Sequence, residues 1–339
     1  MAARQFVMFC TESAFGTATT SPVLGTDKFY MRLDKDNSFV GTMARAQYPI
    51  LHGGGLNTEA DTAAGPCQAE GTFDFLLFPG VYSALLMKWA TTQVNSGGTT
   101  PWTVTVSGTQ PVGDLGSMSI YRAYVREDGS TYRRELYKGA KCTSWRITAN
   151  QGPGDSRVFR ISGTWVAKSR EGNSVDSSSD PTSTPFPAPA DTELPTGPYT
   201  FGHLATGSAV VTLGTSGGSN RASTCASLTI AGTNKFAPDF FSSNFLTSNM
   251  FTGRSVTADI VLRDTASPDD RATWEAQSPI TCTLKIDNGT NSLNFAFGTN
   301  NLLRPWEIQI LHQERFKQRL VIANRILASS GVDITVTAA

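Results

Sequence analysis

Six prolines, Pro181, Pro185, Pro187, Pro189, Pro195 and Pro198, fall within residues 169–198 among Ser, Thr and Asp. Proline removes a backbone donor and pushes the residue before it into an extended conformation. The spacing therefore predicts a linker or extended arm holding neither strand nor helix. It divides the chain into residues 1–168 and 199–339, each of ordinary domain size. A chain of 339 residues buries roughly 75% of its unfolded surface and needs no disulfide or metal staple.

On both sides of this segment the apolar residues come in short aromatic and β-branched runs. Before it they occupy 28–33, 71–78, 102–106, 119–125, 131–137, 144–148 and 157–166, which predicts strands. Glu127-Asp128-Gly129-Ser130 lies between two such runs. Asp-Gly there predicts a hairpin, because glycine tolerates the positive φ of a tight turn. A helix is predicted over 80–90 behind Pro79, with Val81, Leu85, Leu86 and Trp89 forming a stripe that lies on the sheet. After the segment come strands at 227–230 and 255–262, a short helix at 268–276, and a hairpin. That hairpin pairs 281–286 with 292–297 around Asp287-Asn288-Gly289. The order strand, helix, hairpin occurs twice, and 71–90 can be laid beside 255–276 although side-chain identity is negligible. This predicts two similar domains from an old duplication. Residues 307–327 mix the two periods and are assigned to neither strand nor helix.

Charge excludes several functions. Lys plus Arg and Asp plus Glu number 28 each, and the charged fraction of 17% falls below the roughly 25% of an ordinary domain. A neutral surface rich in Ser, Thr, Asn and Gly suits contact with copies of the same chain. It lacks the clustered Lys/Arg excess that clamping nucleic acid requires. Cys10, Cys67, Cys142, Cys225 and Cys282 are scattered, with no CxxC pair and no His at ligand spacing, which predicts buried free thiols in a reducing compartment and no zinc site. His52, His203 and His312 share no spacing that suggests a metal or proton relay. No metal and no cofactor are expected. The apolar run from Phe6 to Cys10 is too short for a signal peptide, and no window approaches the roughly 20 apolar residues of a membrane span. A soluble protein made in a cytoplasm is the expectation.

Two patterns imitate an esterase. Leu51-His52-Gly53-Gly54-Gly55 looks like an oxyanion loop, and Gly214-Thr215-Ser216-Gly217-Gly218 fits G-x-S-x-G with His312 downstream. A nucleophile elbow needs a strand-to-helix turn, yet no helix starts after Ser216 and the alternating βα pattern is absent. With 31 glycines such matches arise by chance, and no enzyme is expected.

The strongest candidate surface is the hairpin over 121–137. Tyr121, Tyr124, Tyr132 and Tyr137 alternate with Arg122, Arg126, Arg133 and Arg134, while Glu127, Asp128 and Gly129 form its tip. Tyr and Arg are enriched at interface hot spots, and mixed charge suits a protein partner better than DNA. The ribbon is predicted to project beyond the sandwich and dock on another copy of the chain, either stacked on it or beside it.

Glu12-Ser13-Ala14-Phe15-Gly16-Thr17, followed by Asp27-Lys28-Phe29-Tyr30-Met31-Arg32-Leu33, resembles the start of siphophage tail tube proteins. The resemblance continues through the 71–78 strand, Pro79 and its helix, through Lys138-Gly139-Ala140-Lys141-Cys142-Thr143-Ser144-Trp145, and through 157–166. It covers most of the chain in outline and departs in length, since many tube subunits are a single domain about half this size. It implies a mainly β fold of two tandem tail-tube-like sandwich or barrel domains, each with a short flanking helix. Such subunits assemble into rings stacked as the tail tube, the conduit for DNA ejection. The implied partners are copies of the chain, three per ring in a pseudo-hexamer or alternatively six, with the tape-measure, tail terminator and tip proteins. DNA passes without specific binding. The implied location is the virion tail, assembled in the host cytoplasm. A bore of neutral or negative potential would let DNA slide, with Asp34, Asp36, Glu59 and Asp61 as acidic candidates. A tail-tip or head-decoration protein would share this composition. A carbohydrate-binding module using Trp102 or Trp165 is a third alternative.

Overall fold

The computed structural model describes residues 5–18, 22–34, 38–49, 62–78, 80–91, 102–107, 116–125, 132–152, 157–171, 175–176, 191–204, 211–214, 219–220, 224–240, 246, 248–263, 280–309, 317–324 and 332–338. These are mainly β. In chain order they form β1 Gln5–Ala14, β2 Thr17–Ala18, β3 Lys28–Arg32, β4 Phe39–Pro49, β5 Thr62–Leu76, the helix α1 Val81–Ala90, β6 Trp102–Ser107, β7 Met118–Val125, β8 Tyr132–Asn150 and β9 Arg160–Ala167. There follow β10 Ser169–Glu171, β11 Val175–Asp176, β12 Val211–Gly214, β13 Ser219–Asn220, β14 Cys225–Asp239, β15 Ser248–Arg263, β16 Ile280–Asp287, β17 Ser292–Gln309, β18 Lys317–Asn324 and β19 Val332–Ala338.

One antiparallel sheet runs β3–β1–β7–β8–β10, with β11 further along the same edge of β8. A second runs β4–β5–β9–β8–β14–β15–β18–β17, antiparallel throughout. β8 serves both, its first half pairing with β7 and its second half with β9 and β14. The two halves meet at Gly139, whose φ of +68° suits glycine. β17 makes a matching transfer. Residues 293–297 lie between β16 and β19, and residues 301–309 pair with β18. β12 and β13 extend beyond β16, and β6 lies beyond β19.

One apolar core runs from Val7 and Phe9 of β1 to Ile322 of β18. Phe9 stacks on Phe29 at 4.9 Å between centroids and Phe39 on Trp165 at 5.1 Å. Trp89 of α1 lies 5.1 Å from Phe9 and 5.3 Å from Phe73. Each fully buried ring contributes about 1.5–3 kcal/mol. The helix occupies the span its spacing predicts, but its burial extends past the predicted stripe to Ser83, Ala84, Met87 and Ala90. Its C-terminal carbonyls are satisfied from far along the chain. Asn234 Nδ2 donates to Ala90 O at 2.7 Å and to Cys142 O at 2.8 Å, and Arg254 Nη1 donates to Thr91 O at 2.8 Å. A guanidinium there also complements the negative end of the helix dipole. Cys10, Cys142, Cys225 and Cys282 are buried free thiols, and burial pushes the Cys225 thiol up to about 12.

Residues 169–198 hold more structure than their prolines predict. β10 and β11 pair with β8, Asp191–Glu193 forms a 3-10 turn, and Leu194 and Pro195 are buried. Backbone bonds then clamp the chain, from Tyr199 N to Leu77 O and from Phe159 N to Tyr199 O, each 2.9 Å. Leu194 explains the docking, since it covers Phe6, Met8, Tyr30 and Tyr121 on the outer face of the first sheet. Strand pairing also crosses this segment, joining β8 to β14 and β6 to β19. The predicted helix at 268–276 lies outside the described residues. Of the unassigned 307–327 stretch, the described parts are strand, in β17 and β18. The 281–297 hairpin forms as predicted, with Asp287 opposite Ser292, Gly289 at φ +89°, and Asp287 Oδ1 accepting Gly289 N at 2.7 Å.

Candidate assembly interface

The 121–137 hairpin forms in register, Tyr121 opposite Leu136, Arg122 opposite Glu135, Ala123 opposite Arg134, Tyr124 opposite Arg133 and Val125 opposite Tyr132. Its tip, including Arg126, Glu127, Asp128 and Gly129, lies outside the described residues. Two of its tyrosines are not surface anchors. Tyr137 is fully buried, 4.8 Å from the Trp165 ring, and its hydroxyl donates to Glu135 Oε2 at 2.9 Å. Burial, and then the Glu135 charge, push its pKa well above the usual value. Tyr121 is buried in the small cluster beneath Leu194. Nor is the ribbon two-stranded, because Val175 and Asp176 pair with Arg133 and Tyr132. Arg122 remains half-buried, 3.8 Å from Glu135, which also accepts Arg170 Nη2 at 2.6 Å. Sequence reasoning missed Glu135 and Arg170 as a pair because the strand that brings Arg170 in was assigned to a linker.

The Glu12 to Thr17 motif acquires a physical role. Ala14 and Thr17 close a tight turn between β1 and β2, with Gly16 at φ +77°. The Glu12 carboxylate accepts Gly16 N at 2.9 Å, Ser117 Oγ at 2.6 Å, Ser119 Oγ at 2.7 Å and Gly139 N at 2.7 Å. It thus ties the first turn to the point where β8 changes sheets. Buried Lys141 lies over the Phe15 ring, 5.1 Å from its centroid, and donates to Asn249 O.

The second sheet has one face on the core and one face open. Phe73, Ile161, Trp145, Ile230 and Ala258 point inward and are buried. Between them a straight row of hydroxyl residues crosses five adjacent strands: Thr72 opposite Thr164, Thr164 opposite Ser144, Ser144 opposite Thr233, and Thr233 opposite Ser255. Side chains on one face of paired strands are neighbours about 4.5–5.5 Å apart, and Ser144 Oγ lies 2.7 Å from Thr164 Oγ1. A groove of about 470 Å³ opens on this face, lined by Val40, Thr42, Glu70, Thr72, Thr143 and Thr164 among others.

Two arginines on this face are paired within the chain, whereas Arg146 and Glu70 there are exposed. Arg160 donates to Asp34 Oδ2 at 2.6 Å and through Nε to Asp74 Oδ1 at 3.1 Å. Arg319 grips Asp259, with Nη2 2.6 Å from Oδ2 and Nε 3.1 Å from Oδ1. Asp34, a bore candidate by sequence, is therefore committed to Arg160 and to Ser38 Oγ at 2.8 Å. Asp36, Glu59 and Asp61 lie outside the described residues, as do His52, Ser216 and His312 of the esterase-like patterns.

The sheet ends in two edges. Among the described residues, β4 pairs only with β5, and residues 302–309 of β17 pair only with β18. Among those residues, no helix is long and apolar enough to cross a membrane. No family model matches this sequence, and no curated protein matches it.

Proposed function

We propose that this chain is a structural subunit of a long-tailed phage tail tube, stacking as rings around the channel through which DNA is ejected. The observation that carries the reading is the eight-stranded sheet, in which one four-strand order occurs twice, side by side. β4–β5–β9–β8 is followed by β14–β15–β18–β17. The surroundings repeat too: β7 beside β8 as β16 beside β17, β1 beside β7 as β12 beside β16, and β2 beside β1 as β13 beside β12. This order supports two tandem tail-tube-like domains, 1–168 and 199–339, sharing sheets and cap as well as a linker.

Unpaired sheet edges demand partners, and closure into a ring removes them. Three copies then present six similar units around a pseudo-sixfold ring. Because one face of the sheet is filled by the core, the bore must be lined by the other, with its hydroxyl row and the paired Arg160 and Arg319. A wall of hydroxyls and mixed, partly paired charges lacks the clustered cationic excess that would hold phosphates, so DNA passes without specific binding. The tape-measure, terminator and tip proteins are the further partners of this reading, the virion tail its location, and catalysis no part of it.

Electron microscopy of the purified chain is expected to show hollow stacked rings, with native mass spectrometry giving three chains per ring. Six chains per ring would overturn the pseudo-hexamer, and a chain that forms no rings under any assembly condition would overturn the tube.

A further inference from the structure

We infer that β17 of one copy pairs antiparallel with β4 of the next, with Leu302 opposite Thr42, Leu303 opposite Gly41 and Arg304 opposite Val40. The inference rests on the ring reading for closure, but the pairing follows from a template inside the chain.

That template is the seam where the two four-strand units already meet. There Ser144 lies opposite Thr233, Trp145 opposite Gly232 and Arg146 opposite Ala231. The eight strands alternate in direction, so β4 and β17 run oppositely and a following copy meets β17 antiparallel.

Register comes from one ion pair present in both units. Asp74 lies opposite Ser162, two residues beyond its partner Arg160; Asp259 lies opposite Val321, two residues beyond its partner Arg319. In the same rows Arg146 lies opposite Ser162 and Arg304 opposite Val321, so Arg304 occupies the place of Arg146. On the other side, Thr72 precedes Asp74 by two and faces Val40, while Thr257 precedes Asp259 by two and faces Ala231. Val40, Gly41 and Thr42 therefore occupy the places of Ala231, Gly232 and Thr233. Gly-Thr recurs at both. Carrying the internal seam forward by one unit gives the stated pairs.

Two independent features agree. Of the four exposed large apolar side chains among the described residues, Val40 and Met43 lie on β4, at 36% and 39% exposure. Pro305 directly follows Arg304, where the pairing of β17 with β18 shifts register. Proline is tolerated at sheet edges and bulges, and here it ends the seam after Arg304.

The test is disulfide mapping on the full chain with Cys67→Ala, so that this thiol takes no part. Thr42→Cys with Leu302→Cys places two thiols opposite each other on one face, within disulfide reach. Thr42→Cys with Leu303→Cys places them on opposite faces. Oxidation is expected to link chains into a reducible ladder in the first variant only. Equal or stronger linkage through Leu303→Cys, or self-linkage of Thr42→Cys alone, would overturn the register or the pairing.

A second measurement serves if a cysteine variant misfolds. Val40→Lys with Thr42→Lys blocks one edge, and Leu302→Lys with Leu303→Lys blocks the other. Each alone should sediment as a monomer, and a mixture should give one-to-one dimers through the remaining edges. Rings from either blocked variant alone would refute the seam. Tubes that stack without the predicted cross-link defeat the seam alone, whereas cross-linked chains that never stack defeat the tube reading alone.

Discussion

A carbon atom added at Gly232 would sit 2.4 Å from the Trp145 indole, whereas one at Gly253 meets nothing within 4 Å. Gly232→Ala is therefore expected to cost about 1–3 kcal/mol through overpacking, read as a lower urea midpoint. Gly253→Ala should be neutral or stabilising by up to about 1 kcal/mol. Asp34 supplies a pH test. Burial works to raise its pKa, but hydrogen bonds from Arg160 and Ser38 and the Arg160 charge outweigh it, leaving the carboxyl below its ordinary value. A depressed folded-state pKa contributes stability that is present above the ordinary carboxylate value and lost as pH falls through the depressed one. Asp34→Asn should cost about 1 kcal/mol or less at neutral pH and show a shallower loss of stability on acidification. Titration curves of equal slope would refute this role. Such pairs were not legible in the sequence, because Asp34 and Arg160 meet only through the sheet. Tyr121 and Tyr137 failed as surface anchors for a related reason: what covers them, Leu194 and Trp165, lies far along the chain.

At the level of elements, the hairpins and α1 were legible because their signals are local. Asp-Gly and Asn-Gly turns, β-branched runs and a Pro-started apolar stripe need no distant partner. β1 was passed over because Phe6 to Cys10 is apolar without alternation. The first sheet accounts for this, burying Val7 and Phe9 in the main core and Phe6, Met8 and Cys10 under Leu194. The runs at 131–137 and 144–148 proved to be one strand, joined through Gly139. The helix cap spans the two halves and yields the next prediction. Asn234→Ala strips two buried carbonyls of their donor and should cost about 1–3 kcal/mol. Arg254→Met should cost a similar amount by removing the cation from the helix terminus. Because both side chains serve one helix end, the double variant should lose a different amount from the sum, measured as a double-mutant cycle.

For the whole molecule, the mainly β class was legible from the spacing of the runs. The sheet order was not, since β8–β14 pairing is set by which edges are free after the local hairpins form. The molecule-scale prediction is assembly by threes, and it carries a salt dependence. The Arg160–Asp74 and Arg319–Asp259 ion pairs of the open face close within each chain. Ring formation should therefore change little with ionic strength, in contrast to an interface held by exposed charges. Dissolution of rings at moderate salt would contradict this.

The cap and the β6–β19 ladder also have a temporal meaning. As the chain leaves the ribosome, α1 emerges long before Asn234 and Arg254, and β6 waits until residues 332–338 arrive to pair with it. Contacts so distant in sequence form late and slowly. The first half is thus held incomplete until nearly all the sequence described here is available, and the β4 edge belongs to an unfinished sheet during that interval. Synthesis itself delays the moment at which one chain can join another.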